Sequence, residues 1–264
     1  MKTLKKGSKG DEVEVLQHLL NVEGVKVTID GDFGAKTETA VRVFQMANGL
    51  ENDGIVGPAT WAALGCARNA TNKTKAVDGS VVYSPLKSCI TKNAGRSIKY
   101  LIIHYTAGTT SAVGSARKMK DYWEKAKNAS ADFGVDDAEM VQFNPDPKNY
   151  YCWAVSGGNG IYNSNSISIE ICSNLRKGTS VKVPNHEGWH FTEASLNNAV
   201  KLAKILMRKY NIPVERVVRH FDVTGKNCPG VAGYNDGPLY NTDGTKSGKK
   251  NNSVKWKAFK ERLK

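Results

Sequence analysis

Three side chains that can hold a metal ion stand where short apolar runs end. His104 closes the run LIIH, His220 closes VVRH, and Cys228 follows eight residues later in RHFDVTGKNCPG. Two imidazoles and one thiolate are suitable donors for Zn²⁺, and three protein ligands leave the fourth tetrahedral position for water, the pattern of a catalytic rather than a structural site. A lone histidine at the end of a strand is more often structural. The three together, with His-x7-Cys in a glycine-containing loop that can fold back on itself, carry the catalytic reading. Zinc lowers the pKa of a bound water to about 7, but a thiolate ligand damps that acidity relative to three imidazoles, so other groups should assist.

Two assistants stand nearby in the sequence. In SISIEIC the isoleucines 167, 169 and 171 share one face of an extended segment, which puts Ser168, Glu170 and Cys172 on the other. A carboxylate in so apolar a strand is costly without a partner or a task. Glu170 could take a proton from the attacking water and hand it to a leaving amine; the other reading is a carboxylate paired with a neighbouring Lys or Arg. Lys226, two residues before Cys228, could aim its ammonium at a carbonyl oxygen that becomes anionic, or be a solvated loop lysine. A competing motif, His186-Glu187-Gly188-Trp189-His190, fits the H-E-x-x-H signature of zinc peptidases. That signature needs a helix. Here Val-Pro-Asn precedes it, Gly lies within it and Thr192 caps the helix after it, so a loop is expected.

The elements that must position these residues alternate between strand and helix. Residues 98–106 (IKYLIIHYT) read as a buried strand, 166–172 as a strictly alternating one and 214–221 (VERVVRHF) as a third. Residues 111–127 and 192–210 read as helices, the second with Leu196, Ala199, Val200, Ala203, Leu206 and Met207 on one face and Thr192 as N-cap. This alternation predicts an α/β fold with a mixed central sheet flanked by helices.

The first 66 residues have a different texture. DGDFGAKTETAV (30–41) and DGIVGPATWAAL (53–64) align without gaps at an offset of 23 residues. Each reads as an Asp-Gly turn feeding a helix, and Val13, Leu16, Leu19 and Leu20 write an earlier helix. The expectation is a small all-α three-helix domain with Phe33, Val41, Phe44, Val56, Trp61 and Leu64 in its core. Residues 67–83, rich in Asn, Thr, Lys and Ala, read as a linker, and 84–264 as the catalytic domain with a basic C-terminal tail.

Composition narrows the functional classes. Forty per cent hydrophobic and 24% charged residues describe a globular chain and exclude disorder and collagen. The net charge of +13 points to a polyanionic partner. It is uneven: residues 1–66 hold seven Lys and Arg against nine acids, a net −2, which leaves +15 for the rest. That excess could hold the chain on a nucleic acid, a membrane surface or a bacterial wall polymer, and charge alone does not choose among them. The tail interleaves Trp256 and Phe259 with lysines, which raises nucleic-acid binding, yet no nucleic-acid fold signature accompanies it, and Val254, Trp256 or Lys257, Phe259 and Leu263 could instead form an amphipathic helix on the core. Five scattered cysteines argue against a disulfide framework and for a reducing compartment. The N-terminal lysines run straight into Gly and acid without an apolar stretch, so no signal peptide is read, and no apolar run is long enough to span a membrane.

Two resemblances cover most of the chain. KKGSKGDEVEVLQHLL followed by the two DG-x-x-G-x-x-T elements, with FQ between them, resembles the three-helix peptidoglycan-binding domain of cell-wall hydrolases over about residues 2–65. IIHYTAGTTS, NSNSISIEICSN and VVRHFDVTGKNCPG, in that order, resemble the zinc-dependent N-acetylmuramoyl-L-alanine amidases, the family of T7 lysozyme and the peptidoglycan recognition proteins, over roughly residues 84–232. This second resemblance implies Zn²⁺ on His104, His220 and Cys228, a catalytic Glu170 as in the Bacillus prophage branch, and Lys226 as transition-state stabiliser. One departure is that Ser130-Ala131-Asp132-Phe133 stands where some members carry a Tyr-His-Phe segment with a catalytic Tyr, so the acid/base task is placed on Glu170. The expectation is an endolysin of a phage or prophage that waits in the host cytoplasm and then cleaves the muramoyl–L-alanine amide of bacterial peptidoglycan. The alternatives are a zinc metallopeptidase using His186, Glu187 and His190, or a non-catalytic wall- or nucleic-acid-binding protein.

Overall fold

The computed structural model describes residues 2–64, 78 and 80–264. The chain divides into two compact units, residues 1–74 and 75–264. Most of the expected linker, and Cys66 with it, lies outside the described residues.

In the first unit, α1 (Asp11–Val22), α2 (Ala35–Ala47) and α3 (Pro58–Ala63) enclose a single core. Leu16, Leu20, Phe33, Val41, Phe44, Val56, Trp61 and Leu64 are all buried in it, as the periodicity predicts. The repeat has a polar counterpart in each preceding helix. Gln17 donates through Nε2 to Asp30 Oδ1, the Asp32 carbonyl and Thr37 Oγ1 at 2.7–3.1 Å, while its Oε1 accepts from the Gly31 amide. Gln45 repeats the set with Asp53 Oδ1, the Ile55 carbonyl, Thr60 Oγ1 and the Gly54 amide. Gly31 and Gly54 sit at φ +69° and +70°, a left-handed conformation that glycine adopts without strain.

The second unit runs β1 (Val82–Tyr83), β2 (Ile90–Lys92), β3 (Tyr100–Tyr105), α4 (Ser115–Ala126), β4 (Phe133–Val135), β5 (Met140–Gln142), β6 (Tyr150–Cys152), β7 (Ser166–Ile171), β8 (Asn174–Leu175), β9 (Trp189–His190), α5 (Glu193–Tyr210), β10 (Val217–Arg219), α6 (His220–Thr224), β11 (Pro238–Tyr240), β12 (Lys246–Lys250) and α7 (Val254–Glu261). Six of these strands form a mixed sheet in the order β1-β5-β4-β7-β3-β10, in which only the β4–β5 pair is antiparallel. Alternation sorts the side chains. Leu101, Ile103, Phe133, Val135, Ile167, Ile169 and Ile171 enter one core with Ala199, Leu202 and Leu206 of α5 and Trp256 and Phe259 of α7. The opposite face carries Val141 against Trp123 of α4, and Ile102 against Val223 of α6.

Several boundaries differ from expectation. The strand read over 214–221 shrinks to Val217–Arg219, because Pro213 opens a helical turn and Asp222 accepts from the Arg219 amide at 2.8 Å, so that His220 begins α6. The helix read from 111 begins at Ser115, after Gly114 at φ +83°. Thr192 caps α5 as predicted, accepting from the Ser195 amide at 3.0 Å. β1 falls within the stretch read as linker and pairs with β5; two residues are too few to show a period. The segment read as a basic tail folds into the β11–β12 hairpin and α7, whose Trp256, Phe259 and Leu263 are buried, so these rings offer no stacking platform to a nucleic acid.

Candidate metal centre

Parallel pairing of β3 with β7 brings the first two functional residues together. The register sets His104 directly opposite Glu170, with Gly134 of β4 on the other side of Glu170. Glu170 lies on the face that the alternation predicts, and the register puts His104 beside it. The adjacent β10 then delivers His220 beside His104, with ring centroids 4.8 Å apart. Cys228 returns to the same place through the loop after α6, closed by a 2.9 Å hydrogen bond from the Phe221 amide to the Cys228 carbonyl. The donor atoms of His104, His220 and Cys228 all lie within 4.8 Å of one another, and all three residues are buried.

One donor pair already has the spacing of a tetrahedral ion, and the whole set lies within 4.8 Å. Zn–N and Zn–S bonds of about 2.1 and 2.3 Å imply donor separations of roughly 3.3–3.8 Å, and Cys228 Sγ lies 3.6 Å from His104 Nδ1. Among the described residues, His104 Nε2 and Glu170 Oε2 are the buried side-chain polar atoms without a hydrogen-bond partner. Each such atom costs about 1–3 kcal/mol when left unpaired; the His104 nitrogen that faces Cys228 is Nδ1, so an ion ligated there leaves Nε2 for another partner, while Glu170 Oε2 stays free to meet a reacting group.

Electrostatics point the same way. Burial, then the neighbouring His220 and Lys226, holds His104 well below the usual imidazole range, and burial with Lys226 brings His220 down to about 4. Both rings are therefore neutral near pH 7, the form that ligates a metal. Burial pushes the Cys228 thiol up, and Glu170 adds to this, while the Tyr105 amide and Lys226 oppose it. A bound dication reverses that balance and draws off the thiol proton. Burial raises the Glu170 carboxyl to about 8 against the pull of Lys226. Its Oε1 lies 4.0 Å from His104 Nδ1, and no Lys or Arg among the described residues forms a salt bridge with it, so the ion-paired reading of Glu170 does not hold. Lys226 is exposed at the rim, its charge felt by all four of these groups.

The competing motif stays apart from this cluster. His186-Glu187-Gly188 forms a turn leading into β9, and Glu187 is exposed. His186 engages both ring nitrogens locally, Nε2 with the Ser180 carbonyl at 2.8 Å and Nδ1 with the Gly188 amide at 3.0 Å. Two contributors escape the sequence reading. The Tyr105 amide is a backbone donor and leaves no mark in residue type. Asp132, in the segment that departs from the expected Tyr-His-Phe, is a buried hub whose Oδ2 accepts from the Ser168 amide and hydroxyl, both at 2.9 Å, and whose Oδ1 accepts from Asn144 and Arg96. It anchors β7 two residues before Glu170.

Comparison with known proteins gives two family matches. Residues 94–231 match the N-acetylmuramoyl-L-alanine amidase family, and residues 9–64 a putative peptidoglycan binding domain. The chain is 36% identical over 132 residues to the N-acetylmuramoyl-L-alanine amidase CwlH of Bacillus subtilis, covering 49% of this chain and 46% of the relative. It is 31% identical over 132 residues to CwlA of the same organism, covering 50% and 43%. The chain thus spans less than half the length of these curated relatives. A solved mutant endolysin from Bacillus subtilis aligns over 70% of this chain and 98% of its own, at 26% identity and a TM-score of 0.49.

Proposed function

Since the chain belongs to the N-acetylmuramoyl-L-alanine amidase family, we propose that it is an endolysin that hydrolyses the amide between the lactyl group of N-acetylmuramic acid and the L-alanine of the stem peptide. The observation that carries this reading is the convergence of His104, His220 and Cys228 opposite Glu170, inside the matched residues. Zn²⁺ held by these three ligands would polarise the scissile carbonyl and acidify a water molecule.

The remaining work belongs to the chain. Glu170, on the strand next to His104, accepts the proton of the attacking water at its carboxylate and returns it to the departing alanine amine. A proton affinity near neutrality suits a group that must do both. Lys226 holds its ammonium at the rim, where it offsets the negative charge that develops on the carbonyl oxygen.

The first unit, whose residues 9–64 match the binding-domain family, docks the enzyme on peptidoglycan. The cation excess of the remainder adds attraction to anionic wall polymers, which rising salt weakens. The site of action is the cell wall.

The test is digestion of purified peptidoglycan with parallel metal analysis. The expected result is one Zn²⁺ per chain and newly exposed N-terminal alanine, both lost on chelation and restored by Zn²⁺. New reducing sugar ends without free alanine, or cleavage that survives complete removal of metal, would refute the assignment.

A further inference from the structure

The family match ends at residue 231, yet the chain beyond it grips the two late metal donors. His220 and Cys228 are carried by little regular structure. α6 is five residues long and ends at Gly225, at φ +76°, and so short a helix is not stable by itself. One backbone hydrogen bond, from the Phe221 amide to the Cys228 carbonyl at 2.9 Å, ties them directly, and side chains brace the residues on either side.

Arg219, the residue before His220, is only 7% exposed. Its guanidinium pairs with Asp222 and donates through Nη1 to the Tyr234 carbonyl at 3.0 Å and to Ser253 Oγ at 2.5 Å. Asn235 does the equivalent on the other side. It is fully buried, and its Nδ2 donates to the carbonyl of Pro229, the residue after Cys228, at 2.6 Å, and to Asn185 Oδ1 at 2.7 Å. Its Oδ1 accepts from Asn185 Nδ2 at 2.8 Å and from the Gly237 amide at 2.9 Å. The gripping segment is itself fixed: Asn251 Oδ1 accepts from the Gly233 amide at 2.8 Å, and Trp256, Phe259 and Leu263 are buried in the main core. His104, on an interior strand of the sheet, needs no such brace.

We propose that residues 233–264 form a clasp that sets the distance between His220 and Cys228, with Arg219 and Asn235 as positioning residues for the metal. The inference rests on the metal reading above. Partners behind metal ligands typically govern affinity by 10- to 100-fold.

The test uses the full chain. Zn²⁺ affinity is measured by competition with a chromophoric chelator, and the ligand field by the visible spectrum of the Co²⁺-loaded protein. Asn235→Ala should weaken Zn²⁺ binding about 10- to 100-fold and alter the Co²⁺–thiolate bands. Leu202→Ala, in the core under α5, should lower Tm while leaving affinity and spectrum unchanged. Should Asn235→Ala not fold, Ser253→Ala, which removes one partner of Arg219, is the milder variant and should weaken Zn²⁺ several-fold. A folded variant with wild-type affinity and spectrum overturns the clasp, as does an equal loss of affinity in Leu202→Ala. Failure of the wild-type chain to bind Zn²⁺ overturns the metal reading together with the clasp, whereas tight wild-type binding unaffected by the variants overturns the clasp alone.

Discussion

Replacing Glu170 by Gln should damage catalysis and stabilise the metal-stripped fold, with a pH dependence that can be worked out beforehand. Burial raises this carboxyl from 4.5 to about 8, so between those values the folded chain holds a proton that the unfolded chain has released. Stability therefore falls as pH rises across that window and levels off above it. At about 1.4 kcal/mol per pH unit, the loss is on the order of 4 kcal/mol by pH 8. A glutamine amide cannot ionise, so the substitution removes this slope. His104 and His220, held low by burial, lose stability as pH drops below 6.5, but they do so in both proteins and cancel in the difference. The assay is thermal unfolding of the chelator-stripped full chain from pH 4 to pH 9. Near pH 4 the two proteins should agree; at pH 8 the Glu170→Gln transition of the second unit should lie roughly 10 °C higher, taking 2–4 °C per kcal/mol for a unit of this size. With Zn²⁺ restored, the variant should retain metal and lose about 10²- to 10⁴-fold in alanine release, the range for a general base. Parallel unfolding curves across the whole pH range would refute the buried-carboxylate reasoning, and near-normal turnover would refute the role of Glu170.

Lys226→Met should cut kcat on the order of 10²-fold while leaving metal content and unfolding midpoint unchanged, since the side chain is exposed; a loss of Zn²⁺ instead would assign it to the fold of the cysteine loop. Gln45→Leu should destabilise the first unit by about 1–3 kcal/mol, because it strands the buried Gly54 amide, while Asp53 keeps the Ile55 amide and Thr60 the Ile55 carbonyl; the measurement is hydrogen exchange at Gly54, and unchanged protection would refute the hub. Glu187→Gln should leave Zn²⁺ content and alanine release within about twofold of wild type, as for other exposed positions remote from a site; loss of both would restore the peptidase reading of His186 and His190.

Residue types reveal whatever obeys a local period. SISIEIC alternates, so the face of Glu170 is legible without the fold, and the 23-residue repeat marks the helices and core of the first unit. Register is not legible. That Glu170 lies opposite His104 depends on parallel pairing between segments more than sixty residues apart, which no local pattern encodes. Strand ends escape the pattern where a polar side chain redirects the backbone, as Asp222 does at Arg219. The hubs are invisible for a related reason. Gln17, Gln45, Asp132 and Asn235 have the composition of surface or turn residues, and only their partners, drawn from distant segments, make burial tolerable.

Those hubs also give the metal centre its meaning. Gln17, Gln45, Asp132, Arg219 and Asn235 are all buried, and each is tied into hydrogen bonds drawn from several segments. Both units therefore satisfy polar groups closely where nothing but folding is at stake. Against that background, the unpaired His104 Nε2 and Glu170 Oε2 are not ordinary imperfections of packing. They belong to residues paired across β3 and β7, and one of them is a member of the donor cluster. Among the described residues, the buried side-chain atoms left open lie on this facing pair, where Glu170 Oε2 is free to meet a reacting group and His104 keeps Nδ1 toward Cys228. The same reasoning explains why so much hydrogen bonding surrounds the late ligands: an open coordination site is useful only if its donors hold their spacing when the fourth position changes occupant. His104 inherits that rigidity from the sheet, whereas His220 and Cys228 draw it from Arg219 and Asn235.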